Sequence, residues 1–171
     1  SVLDGNKTVL GDGGGAIYNG GSDLTIISST LTNNWTEMEG GGGAILTNGG
    51  RVQISHSNIS NNTSNGHGGA ILATGTGADN EQLTIFNSSI TGNSAPSHGG
   101  GIYADELPTS ITATTIAGNT SSYGGAITLW GAASSTLDSS TITNNIVTNG
   151  GAIAVVSTDS SHYPTVSNTI V

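Results

Sequence analysis

Apolar residues in this chain mostly stand singly between hydroxyl and amide side chains, and they recur at fixed places. Thr30 and Thr32 flank Leu31, Ser89 and Thr91 flank Ile90, and Thr141 and Thr143 flank Ile142. Alternation with period two predicts a strand with one buried face. The centres of this motif are Leu31, Ile59, Ile90, Ile116, Ile142 and Ile170. Five residues before the first five stands another apolar residue: Ile26, Ile54, Ile85, Ile111 or Leu137. The sixth copy has Thr165 there, with Val166 one place out of register. Two residues before each centre is Ser29, Ser57, Ser88, Thr114, Ser140 or Asn168. Three residues after the first five is Asn34, Asn62, Asn93, Asn119 or Asn145.

A glycine motif interleaves with the first. It reads Gly14-Gly15-Ala16-Ile17, Gly42-Gly43-Ala44-Ile45, Gly68-Gly69-Ala70-Ile71, Gly99-Gly100-Gly101-Ile102, Gly124-Gly125-Ala126-Ile127 and Gly150-Gly151-Ala152-Ile153, its isoleucines 28, 26, 31, 25 and 26 residues apart. The chain is therefore six units of about 27 residues, each with short β-segments and no helical periodicity. One such unit cannot bury its apolar face alone, but six stacked units build continuous internal ladders. The fold predicted is all-β, a parallel β-helix of about six coils spanning residues 13–171, preceded by an N-terminal segment, 1–12. In it the isoleucines fill the core and the glycine pairs permit positive φ at corners. The asparagines stack as an amide ladder at a turn.

Composition first points the other way. Gly, Ser, Thr and Asn make up more than half of the 171 residues, and chains of that kind usually bury too little to order themselves. Neither disorder nor a β-sandwich explains six copies of one spacing. Two basic residues, Lys7 and Arg51, against eleven acidic ones exclude neutralisation of a nucleic-acid backbone. The absence of cysteine removes disulfides and thiolate chemistry. No apolar run is long enough for a membrane-spanning helix.

The strings Gly14-Gly15-Ala16-Ile17-Tyr18-Asn19 and Ser29-Thr30-Leu31-Thr32-Asn33-Asn34 carry a resemblance. They resemble the repeats of chlamydial polymorphic outer-membrane proteins and of bacterial and archaeal adhesin-like surface proteins, over roughly residues 13–171. Leu or Ile stands where the chlamydial repeats have Phe. The resemblance implies a right-handed parallel β-helix displayed outside the cell, with adhesive or structural roles and no catalytic residues to transfer.

Several residue sets invite chemistry. Asp79 and Glu81, and Asp105 and Glu106, follow the glycine motif in consecutive units and form a candidate calcium site. The loop is lengthened there in the third unit and again in the sixth. His67 and His98 share a phase with Tyr123, a stacked ladder or a shared metal position. The Thr30/Thr32, Asn58/Ser60, Ser89/Thr91, Thr115/Ala117 and Thr141/Thr143 pairs form a hydroxyl and amide array. It resembles ice-binding faces, with a full Thr-x-Thr only in the first and fifth pairs. Of seven glycosylation sequons, Asn6, Asn58 and Asn87 are the expected exposed acceptors. Ile27, Phe86, Tyr18, Tyr103, Trp35 and Trp130 are expected to face outward, for lateral contacts or sugar stacking.

The chain starts without Met and stops inside the second motif, which reads either as a segment of a longer repeat protein or as ends that stack head to tail. The expected function is that of an extracellular structural protein, a filament subunit or adhesin stalk, without cofactor unless calcium binds. The alternative is a carbohydrate-binding adhesin module. A polysaccharide lyase or hydrolase and an ice-binding protein come behind these.

Overall fold

The computed structural model describes residues 1–131, 134–157 and 163–171. Every regular element among them is a β-strand. Three six-stranded parallel sheets run the length of the molecule. The first holds Val2–Asp4, Thr30–Thr32, Asn58–Ser60, Ser89–Thr91, Thr115–Ala117 and Thr141–Thr143. The second holds Ile17–Asn19, Ile45–Asn48, Ile71–Thr74, Ile102–Asp105, Ile127–Trp130 and Ile153–Val156. The third holds Leu24–Ile27, Arg51–Ser55, Gln82–Phe86, Thr109–Thr112, Thr136–Asp138 and Thr165–Ser167. The chain visits the three in turn and returns to the first one coil further on. This is the parallel β-helix that the repeats predict.

The alternation builds the core. Leu31, Ile59, Ile90, Ile116 and Ile142 line the inside of the first sheet, Ile45, Ile71, Ile102 and Ile127 that of the second, and Ile54, Ile85, Ile111 and Leu137 that of the third. Each removes about 1.5–3 kcal/mol worth of apolar surface from water. In-register pairing sets Ile on Ile along each column, for example Ile59 on Ile90 on Ile116. The N-terminal segment continues the stack. Leu3 pairs with Leu31, and Leu3 with Asn6 repeats the apolar-x-x-Asn spacing that the sequence reading counted only from Leu31.

The last coil corrects the sequence register. Val166, not Thr165, lies against Leu137, and Ile170 bridges to Thr141 rather than to Ile142. Ile170 is 70% exposed. Thr169, not Asn168, therefore takes the place equivalent to Ser140, whose N–H it accepts at 3.4 Å. A slip of one residue exchanges the two faces of a strand, so Ile170 falls in the column of Thr141 and Val171 in the phase of Ile142.

The glycine motif does supply positive φ, at the first glycine of four motifs, Gly68, Gly99, Gly124 and Gly150, and at no second glycine. At Gly43 the constraint is space: an added Cβ would run into the carbonyl oxygen of Gly69 one coil on. The corner between the third and first sheets takes positive φ without glycine, at Ser28, His56, Asn87, Ala113, Ser139 and Asn168, with φ between 46° and 50°. Each such residue costs about 1 kcal/mol outside Gly or Asn.

Two side-chain ladders hold the turns on either side of the first sheet. The first is the amide column. Asn62 Oδ1 accepts both the backbone N–H and the side-chain Nδ2–H of Asn34, each at 2.9 Å. Asn62 Nδ2 in turn donates to Leu31 O (3.1 Å) and Asn93 Oδ1 (3.0 Å). The pattern runs from Asn6 through Asn34, Asn62, Asn93 and Asn119 to Asn145. The second is a hydroxyl column. Ser57 Oγ accepts from Ser29 N (3.1 Å) and donates to Ser55 O (2.7 Å), and Ser88, Thr114 and Ser140 repeat it.

Asn93→Ala leaves two donors of Asn62 without their acceptor and takes a donor from the Ile59 carbonyl in the interior, so urea unfolding is expected to show a loss of about 3 kcal/mol. Asn93→Asp cannot donate and should lose as much. Ala113→Gly, which removes a strained left-handed Ala, should instead raise the midpoint slightly.

Candidate functional site

The outer surface carries the chemistry. Where the glycine motif enters the second sheet, His67, His98 and Tyr123 bridge as successive rungs. The His67 and His98 rings stack at 5.2 Å and 30°, and His98 stacks on Tyr123 at 5.1 Å and 16°. Trp130 meets His98 edge-on at 5.7 Å. Rings stacked face to face send their nitrogens out side by side rather than towards one point. His98 Nδ1 bonds Ser97 Oγ at 2.7 Å, while His67 Nδ1 is buried with no partner. Burial lowers the pKa of both; the neighbouring His98 adds to this at His67, and Glu39 opposes it.

Beneath this ladder lies a surprise for Tyr103. It stands on the outward column of the second sheet with Leu46 and Leu72, yet the three form a second buried cluster. The His67 ring covers Tyr103 at 4.8 Å. Burial and the nearby Asp105 push the Tyr103 hydroxyl up to about 12. Tyr103 is therefore packing, not a lateral contact. Tyr18, Ile27, Trp35, Phe86 and Trp130 do face solvent, Trp35 beneath the Lys7 ammonium at 4.0 Å. Lys7 also pairs with Glu37 at 2.7 Å.

Of the four candidate acids, Asp79 and Glu81 line one cavity with Asp23 and Arg51, which neither Asp105 nor Glu106 reaches. Glu81 closes the long loop of the third unit, accepting from Thr76 N (2.8 Å) and Thr76 Oγ1 (2.6 Å), which lower its pKa. Asp105 is half-buried, and burial with the adjoining Glu106 raises its pKa. Among the described residues no group of three or more His, Asp or Glu is placed to hold a metal. The lengthened loop of the sixth unit includes residues 158–162 and lies outside the described residues. Of the sequon asparagines, Asn6, Asn58 and Asn87 are all exposed. The Asn6 side chain nonetheless donates to Asn34 as the first rung of the amide column.

The model of the right-handed β-helix region matches residues 2–171. The chain belongs to the right-handed β-helix family. Neither the curated proteins nor the solved structures contain a match to it. Right-handed β-helix domains occur in both enzymes and non-enzymes, so membership fixes the architecture and leaves the role to the surface of this β-helix.

Sequence reasoning found the His67–His98–Tyr123 phase but missed His56, a corner residue whose ring meets Phe86 at 5.0 Å and 80°. Its signal was available: it sits immediately before Ser57 in the position that Asn87 holds one coil on.

Lowered histidine pKa values make stability depend on pH. The contribution is complete above the unfolded value of about 6.5 and is lost as pH falls through it, because the unfolded chain then binds protons that the folded one refuses. Urea midpoints should therefore drop between about pH 7.5 and about pH 5. His67→Phe should flatten that drop; an unchanged drop would place its origin elsewhere.

Proposed function

We propose that this β-helix is an extracellular structural protein, the stalk of a surface adhesin or the subunit of a surface filament, lengthened by stacking coil on coil. The observation that carries this is the polarity of the amide column. In every amide-to-amide bond the lower-numbered coil donates and the higher-numbered coil accepts. Each coil thus offers an acceptor on one side and donors on the other, and any coil of the same cross-section, from this chain or another copy, can continue the stack. The cell-surface setting rests on the resemblance of the repeats to the adhesin-like surface proteins.

The role proposed is non-catalytic. Lys7 is engaged by Glu37, Glu81 by Thr76, and Asp138 by Ser139, Ser167 and Asn168. These are closed local contacts rather than groups aimed at a shared substrate.

Electron microscopy and sedimentation over a range of concentrations test this. Rods that lengthen end to end with concentration, in steps of about 4.8 Å per coil, are expected. A monodisperse monomer at high concentration overturns end-to-end growth.

A further inference from the structure

We infer that the flank of the third sheet, with its corner to the first, is a binding site for a neutral oligosaccharide lying along the solenoid axis. On that flank Ile27, Ser55 and Phe86 occupy one column on successive coils. Ile27 and Phe86 are 59% and 41% exposed, and the small Ser55 between them leaves a notch of about 430 Å³. His56 bounds the notch at the corner and holds the Phe86 ring by its edge contact.

His56 also opens onto a second groove on the far side of the corner, about 690 Å³ in volume, where Asn58 and Asn87 project among serine and threonine hydroxyls. An apolar notch and a gutter of amides and hydroxyls thus meet at one imidazole. A sugar ring presents the complementary pair, a C–H face for an aromatic platform and a rim of hydroxyls for amides and alcohols.

Charge selects the class of sugar. Among the described residues no Asp, Glu, Lys or Arg lines either groove, and the chain carries a net charge of −9, which repels polyanionic glycans. The other exposed aromatic pair, Tyr123 and Trp130, lies on coils next to Asp105 and Glu106, and Trp130 pairs directly with Asp105, so it lacks this neutral setting. Dimensions select the direction. Ile27 and Phe86 are two rungs apart, about 10 Å, the length of a disaccharide, so consecutive sugars track from coil to coil. The backbone beneath is already fixed, with Ser28, His56 and Asn87 locked at positive φ, which spares the site an ordering cost on binding.

The test is NMR titration of the full ¹⁵N-labelled chain with the neutral hexasaccharides of cellulose, xylan, chitin and starch, and with hexagalacturonate as the acidic control. At least one neutral hexasaccharide should shift the amides of Phe86, His56 and Asn58. Phe86→Ala should weaken it by about tenfold or more, and Ser55→Trp, which fills the notch without touching the core, should weaken it likewise. Trp130→Ala should bind as the wild type does, and circular dichroism reports whether each variant remains folded. Absence of neutral-sugar binding, equal affinity for hexagalacturonate, or full affinity in both folded notch variants would overturn the site. The stacking proposal does not depend on any of these outcomes, and a monomer that binds sugar leaves this inference intact.

Discussion

The structure depends on keeping one coil in register with the next, and the buried amide column does most to impose that. An asparagine in this column fills all its capacity. Its oxygen takes two donors from the coil before, and its nitrogen gives one bond back to a carbonyl and one to the coil after. No other side chain has two acceptor sites and two donors on so short a stem. A coil displaced by one residue would bury four unpaired groups, a cost that apolar contacts alone, being non-directional, do not levy. The isoleucine columns supply the larger driving force. The asparagines and the corner hydroxyls decide which alignment that force stabilises.

Coils of unequal length follow from the same division of labour. Ile59 and Ile90 are in register although 31 residues separate them, where 26 separate Ile90 from Ile116. The extra residues leave between the second and third sheets and are closed off by Glu81 on Thr76. The columns on either side are undisturbed, so the surface can vary while the interior repeats. The candidate sites lie on such outward elements.

Much of this was legible in the residues. Ile59, Ile90 and Ile116 announce a buried column because nothing apolar competes with them nearby. The last coil offered two registers, Thr165 with Ile170 or Val166 with Val171, and spacing alone took the wrong one. The left-handed corners were hidden because Ser28, Ala113 and Ser139 are not residues that advertise positive φ. Tyr103 misled for another reason. Alternation places it outward correctly, but only the fold shows that the loop bearing His67 roofs it. Outward and exposed differ wherever a loop folds back.

The one-way course of the amide column gives the solenoid an electrical axis. Every side-chain carbonyl from Asn34 to Asn145 points towards the preceding coil, and Asn34, Asn62, Asn93 and Asn119 each send one amide N–H towards the following one. Aligned amide dipoles add, as peptide dipoles do in an α-helix, and polarise one another in a low-dielectric interior. The low-numbered face of the stack is therefore the partially negative pole and the high-numbered face the partially positive one. Copies stacked end to end would therefore meet negative pole to positive pole.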